Sequence, residues 1–245
     1  MTLLERINPQ FDLLETRSEQ SDQPIIELDW LEEVEKGCSR AVLWQSQQCL
    51  VVPMSYRRFK NFDSICAQFA QQGWPVRMRR SGGGLVPQGP GVLNLTLAYP
   101  VIAGPGVLVE QVYSHLCSVL VRALEQLQIN ATAQEVVGSF CDGRFNLAVQ
   151  GAAGVQKIAG TAQYWRHFAG RHAVLAHALL LVDADTKALT QQCNEFEMAL
   201  GSGRHYLLDS VTNVAQAWAA AHPDKCLPAD LAAEVTQQIS AALIS

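Results

Sequence analysis

Residues 133–137, 145–149, 157–164 and 172–182 form four β-prone runs that follow one another with glycine-bearing turns and no helical stretch between them. A regular alternation of strand and helix, the signature of a doubly wound sheet, is therefore excluded. The pattern predicts an α+β domain with a mixed or antiparallel sheet and helices packed on it.

The remaining segments fit that class. Residues 1–23 are polar and aperiodic and are expected to lie over the surface, closing at Ser21-Asp22-Gln23-Pro24, a start signal for the next helix. Ile26, Trp30, Leu31 and Val34 at helical spacing, with Gly37 as a stop, predict a helix over 24–36. The runs 41–44 and 49–52 suit a hairpin, and Phe59, Phe62, Cys66 and Phe69 suit a helix ending at Gln72. Residues 76–80 and 92–99 alternate as strands joined by a glycine-rich loop. Leu108, Val112, Leu116, Val119, Leu120, Ala123 and Leu127 mark one face of a long helix, and further helices are predicted over 186–200, 210–221 and 229–243. The expected organisation is a surface segment, 1–23, and a single domain, 24–245.

Composition narrows the partners. Apolar residues make up 49% of the chain and charged ones 17%, below an average near 25%, so a sizeable core is available. With Lys plus Arg at 18 and Asp plus Glu at 23, the net charge of −5 gives no general attraction to nucleic acid or anionic membrane. Any bound anion must be held by a local cluster. Seven cysteines without a CxxC pair predict free thiols in a reducing compartment. The first residues lack a basic stretch followed by an apolar one, and the longest apolar run, 173–182, is about half the ~20 residues a membrane-spanning helix needs. The expectation is a cytoplasmic protein without a membrane segment.

Two segments carry candidate chemistry. In Arg79-Arg80-Ser81-Gly82-Gly83-Gly84 the glycines allow close backbone approach to a ligand, and two guanidinium groups add fixed positive charge; a plain loop between strands has the same look. In Gly138-Ser139-Phe140-Cys141-Asp142-Gly143-Arg144 a cysteine sits in a polar glycine loop beside Arg144, a setting for a thiolate nucleophile, although a small half-buried thiol is the plainer reading. Lys157 heads a strand whose Ala159-Gly160-Thr161-Ala162 leaves room for a ligand; it equally fits a snorkelling surface lysine and close backbone packing. His167, His172 and His177 stand five apart, which alternates faces on a strand, so no metal site is expected, and the chain has neither GxxxxGK[ST] nor GxSxG.

Taken together, Arg79 to Val86, Gly91-Val92-Leu93-Asn94, Asn146-Leu147-Ala148-Val149 and Lys157 to Gln163 resemble the lipoate-protein ligase and octanoyltransferase superfamily, over about residues 26–215 and including Ser210-Val211-Thr212-Asn213. The resemblance implies the fold of biotin and lipoate ligase catalytic domains, related to class II aminoacyl-tRNA synthetases. It implies that Arg79, Arg80, Ser81, Gly82, Gly83 and Gly84, with Asn94, Gly160, Thr161 and Ala162, line an acyl or acyl-adenylate pocket, and that Lys157 contacts the acyl carbonyl. Carrier-protein octanoyltransferases place their cysteine before an HG pair on the strand after the lysine; here that stretch is Ala173-Val174-Leu175-Ala176-His177-Ala178. A cysteine in the earlier loop, like Cys141, instead resembles the amidotransferases that move octanoyl from glycine cleavage H protein to other lipoyl domains, although Asp142 replaces their usual proline. Gln88 stands where a histidine is common, which removes a possible polar contact, and the expectation from an end near residue 245 is that the accessory C-terminal domain of larger ligases is missing, which would fit a transferase or a ligase that needs a separate subunit.

The implied function is an acyltransferase that needs no cofactor and passes an octanoyl or lipoyl group through Cys141 to a lipoyl-domain lysine. Its implied partners are the H protein, the 2-oxoacid dehydrogenase E2 component or acyl carrier protein. Two alternatives stay open: a lipoate-protein ligase using ATP and Mg2+, and a non-catalytic acyl or carrier-protein binding module. ATP dependence separates the first two.

Overall fold

A computed structural model describes residues 9–21, 27–151 and 154–244. In chain order, strand β1 is Leu13–Ser21, followed by helix α1 (Glu27–Glu35) and strands β2 (Arg40–Ser46) and β3 (Cys49–Pro53). Next come α2 (Phe62–Gln71), β4 (Val76–Arg79), β5 (Val86–Gln88), β6 (Val92–Val101) and the long α3 (Pro105–Gln126). Strands β7 (Ala131–Ala133), β8 (Leu147–Gly151), β9 (Gly154–Phe168) and β10 (Arg171–Leu181) lead into α4 (Thr186–Leu200), α5 (Val214–Ala221) and α6 (Leu231–Ile244). Local chemistry sets the helix ends: Pro105 starts α3, the Asp185 carboxylate accepts from Ala188 N–H to open α4, and Gly201 at φ +66° closes it.

The main sheet has seven strands in the order β1-β2-β6-β10-β9-β8-β7, antiparallel throughout except for the parallel pair β1–β2. A second sheet, β4-β3-β5, pairs β3 parallel to β4 and antiparallel to β5. The class is therefore α+β with a mixed sheet and packed helices, as the strand order in sequence predicts.

Alternation along the central strands builds two unlike faces. Leu93, Leu95, Leu97 and Tyr99 of β6 and Val174, Ala176, Ala178 and Leu180 of β10 point toward α3, α5 and α6, where Val112, Leu116, Leu120, Trp218, Val235 and Ile239 complete the largest core. By length and composition α3 could cross a membrane, but much of its apolar surface, Leu116 and Leu120 included, is buried in this core. On the opposite face α1 covers Val42, Ala98 and Leu175, while the small sheet with α2 and α4 forms a separate core around Leu50, Phe69, Leu181 and Phe196. Between those two smaller cores the middle of the sheet is left uncovered by helix.

Several expectations change. Residues 13–21 form an edge strand; their sequence is too polar to alternate, and backbone pairing with β2, from Leu13↔Arg40 onward, places them. The helix start near Pro24 lies outside the described residues. The predicted hairpin does not form: β2 joins the main sheet and β3 the small one, because Leu50 and Val52 are claimed by the core around α2 and α4. A short strand, β5, interrupts the expected loop between β4 and β6. The strand predicted at 133–137 ends at Ala133, beyond which the Asp142 carboxylate accepts from Val136 N–H and turns the chain into the loop that carries Cys141.

Candidate active site

The uncovered middle of the sheet is the floor of a pocket with an enclosed volume of about 80 Å3 that opens to solvent at its mouth. Its floor is two rows across four strands. One row is Trp44, Asn94, Leu179 and Gly160; the other is Thr96, His177 and Ala162. Val51, Val86 and Gln88 of the small sheet, Arg79 and Ser81, and Trp30 of α1 supply the walls, and Cys141 borders the same space near Gly160. From β9 to β2 the floor spans three strand spacings, roughly 14 Å. An extended chain advances about 1.2 Å per bond, so an eight-carbon acyl group needs about 8–9 Å.

Polar floor residues are tied to one another. Gln88 and Asn94 form a reciprocal amide pair at 2.8 and 2.9 Å. Gln88 therefore supplies a polar contact where the sequence predicts the loss of one. Trp44 donates its indole N–H to Thr96 at 3.0 Å, and the Thr96 hydroxyl bonds His177 Nδ1 at 3.3 Å. With these groups paired, an apolar chain can lie across them without stripping water from bare donors.

Cys141 occupies a turn whose geometry is unusual for its side chain: φ is +49°, a left-handed conformation that costs a non-glycine residue about 1–2 kcal/mol. Neighbours hold it there. Its carbonyl oxygen accepts from Lys157 Nζ at 3.1 Å and from Asn146 Nδ2 at 3.5 Å. Its sulfur receives the backbone N–H of Gly84 at 3.2 Å and lies 3.8 Å from an Arg79 guanidinium nitrogen. The loop of glycines thus clasps the cysteine: a Cβ on Gly83 would sit 2.6 Å from Sγ, and one on Gly84 would press on the Cys141 backbone at 3.3 Å.

The two arginines part company. Arg79 turns inward and braces the loop through the carbonyls of Val51, Gly82 and Gly84, whereas Arg80 is exposed and does not line the pocket. Gly83 and Gly84 press on Cys141 and Gly82 does not, while Ser81, Asn94, Gly160, Thr161 and Ala162 line the cavity.

Lys157 is wholly buried, which pushes its pKa down to about 8. A bulge between β8 and β9 at Ile158 turns its side chain under the cysteine loop. There Nζ donates to the Phe140 carbonyl at 2.6 Å and stands 5.0 Å over the Phe140 ring. The amine lies behind the backbone of Cys141 and is absent from the pocket lining. A side chain at Gly160 would meet Nζ at 2.9 Å, so the glycine makes room for the lysine. Among the described residues no group of three or more His, Cys, Asp or Glu is arranged to hold a metal.

The family model for the lipoyl protein ligase A/B catalytic domain matches residues 13–228. The chain belongs to this family. It is 48% identical over 199 residues to an uncharacterized protein of Cupriavidus necator, covering 78% of this chain and 79% of that one. It is also 40% identical over 136 residues to an octanoyl-[GcvH]:protein N-octanoyltransferase of Kyrpidia tusciae, covering 53% of this chain and 45% of that enzyme. The chain thus matches somewhat less than half the length of that named transferase. Among solved structures, the putative lipoate protein ligase of Thermoplasma acidophilum superposes with a TM-score of 0.64 at 16% identity, covering 96% of this chain and 84% of that one. The fold is that of lipoate ligase catalytic domains, and the protein is an enzyme of the lipoate protein-modification superfamily, akin to the octanoyltransferases.

Within this family frame, the sequence reading missed Trp30, Trp44, Thr96 and His177 as pocket residues. A signal was present for two of them: Thr96 and His177 are polar positions inside otherwise apolar strands and stand directly opposite each other across β6 and β10.

Proposed function

We propose that the protein is an acyltransferase that moves an octanoyl or lipoyl group from an acyl-protein donor, through a Cys141 thioester, to the lysine of a lipoyl domain, without a nucleotide. The observation that carries this reading is the sulfur of Cys141, which borders an apolar pocket and receives the Gly84 N–H at 3.2 Å. That donor fixes the sulfur at the edge of the pocket, where it can meet an acyl carbonyl.

In the first half-reaction the sulfur attacks the donor amide carbonyl with the alkyl chain on the pocket floor. The new C–S bond replaces the C–N bond, and the thiol proton leaves on the donor amine. In the second half-reaction the acceptor lysine amine attacks the thioester, a C–N bond replaces the C–S bond, and one amine proton returns to sulfur. Lys157 acts from behind: its buried positive charge, held on the Phe140 and Cys141 carbonyls, favours the negative charge that develops on the acyl oxygen. Names of relatives support the partner class, since the Kyrpidia tusciae transferase uses an octanoylated GcvH and a Listeria monocytogenes relative is a lipoyl-[GcvH]:protein N-lipoyltransferase. An H protein as donor and an E2 lipoyl domain as acceptor are the proposed partners here.

The test is intact-protein mass spectrometry after incubation with octanoylated H protein in the absence of ATP, on wild type and Cys141→Ala. An octanoyl adduct on wild type alone is the expected result. Undiminished transfer by Cys141→Ala, or acylation only from the free acid with ATP, would overturn the covalent route and favour a ligase.

A further inference from the structure

Outside the acyl pocket lies a buried polar cluster that the transfer chemistry does not use. Glu197 of α4 is wholly buried, and its Oε1 accepts from the Tyr56 hydroxyl at 2.5 Å and the Tyr206 hydroxyl at 2.7 Å. Arg204 Nη1 stands 3.7 Å from the same oxygen and also donates to the Tyr56 hydroxyl. The other oxygen, Oε2, has no hydrogen-bond partner among the described residues. Burial and the carboxylate both raise the tyrosine pKa values far above the ordinary range, so both phenols remain donors. A buried carboxylate is costly, and a hydrophobic replacement is often at least as stable. The question is what the cluster orients.

Its two tyrosines lead to the two loops that clasp the thiol. Tyr56 is packed in the same buried core as Leu85, the residue after Gly84, whose own N–H holds the sulfur. Tyr206 stands edge-on to Phe140, the residue before Cys141, with ring centroids 6.5 Å apart. The backbone of Tyr206 is fixed to α4 by two bonds with Asn194, at 2.7 and 2.8 Å. One residue on, Leu207 N–H donates to the Gly138 carbonyl at 2.8 Å, and the Ser210 hydroxyl reaches the same oxygen at 3.0 Å. Leu85, Tyr56, Phe140 and Tyr206 all belong to the same small core. A single carboxylate oxygen thus ties together the supports of the N–H donor and of the sulfur that receives it.

We infer that Glu197, Tyr56 and Tyr206 are positioning residues that set the spacing between the Gly84 N–H and the Cys141 sulfur. This inference rests on the reading of Cys141 as the nucleophile, and its test can fail independently of that reading. Tyr56→Phe and Tyr206→Phe each remove one hydroxyl and keep the ring; Glu197→Gln still offers an acceptor oxygen to both hydroxyls. Three quantities are measured: kcat and KM for octanoyl transfer, the pH profile of iodoacetamide alkylation resolved to the Cys141 peptide, and Tm.

In each Tyr→Phe variant kcat should fall roughly ten- to hundredfold, the scale of a misplacement of up to an ångström. KM for the acyl donor should stay within about twofold, since the pocket is untouched. The alkylation profile of Cys141 should change as its sulfur is displaced from the Gly84 N–H, while Glu197→Gln remains near wild type in both readouts. Tyr→Phe variants with unchanged kcat and an unchanged alkylation profile, whatever their Tm, would overturn the inference. A shifted profile in a protein that shows no Cys141-dependent transfer would leave the positioning role standing and remove the covalent route. Cys141-dependent transfer with an unshifted profile would do the reverse.

Discussion

The two faces of the main sheet are built from the same strands and differ in what covers them. Toward α3, α5 and α6 the side chains of β6 and β10 are continuously apolar, and the face is sealed. On the reverse, two smaller cores close its ends and leave Asn94, Thr96 and His177 between them. The sealed face makes the fold, and the divided face makes a site. What separates them is a few polar positions aligned across neighbouring strands, each satisfied by another polar group.

That contrast can be broken most severely on the sealed side. Leu116→Ala, in the middle of α3, should cost about 2–5 kcal/mol through lost burial and a residual cavity. Denaturant unfolding measures this, and folded Leu116→Ala should keep its relative preference among acyl chain lengths. A changed preference would mean that the faces are not independent.

Lys157 tests the boundary between the faces, because its charge is buried under the loop of the divided side. Its pKa of about 8 lies below that of a free lysine, so above pH 8 the native state gives up a proton that the unfolded chain still holds. Stability contributed by this position therefore rises as pH increases from about 8 to the free-lysine value, by at most about 3 kcal/mol. Lys157→Met should lack that rise, as chemical denaturation at pH 7.5 and 10 would show. The charge itself fades above pH 8, so acyl-enzyme formation in wild type should decline there.

The smallest effect belongs to the pocket floor. Thr96→Val removes the partner of the Trp44 indole and of His177 Nδ1, and should cost about 1–2 kcal/mol for the donor left unpaired. Acyl-donor KM should change more than kcat. An equal fall in kcat would place Thr96 in the chemistry instead of the floor.

Much of this architecture was legible in the sequence, but unevenly. Helix α4 occupies the predicted span 186–200, and in the structure Asp185 caps its start and Gly201 its end. Strand identity was legible wherever alternation was strong, as in β6. Strand partnership was not: the apolar run of β3 has no feature that says whether it pairs with β2 or with β4, and tertiary burial decides. Strand β1 was illegible because an edge strand can be held by backbone pairing alone.

In the site, residue types were readable and their division of labour was not. Arg79 and Arg80 look equivalent in sequence, yet Arg79, the last residue of β4, is buried and Arg80, just beyond the strand, is exposed. The contact of Cys141 with Gly84, 57 positions away, exists only once the loops after β4 and β7 meet.

The fit of Gly83 against the cysteine sulfur has a further consequence. Because a methyl group at 83 would overlap the thiol at 2.6 Å, the two positions cannot drift separately. A descendant that enlarges residue 83 must displace the sulfur and also hold a side chain at φ +101°, a backbone conformation that suits glycine. In an alignment of descendants, cysteine at 141 should therefore be accompanied by glycine at 83.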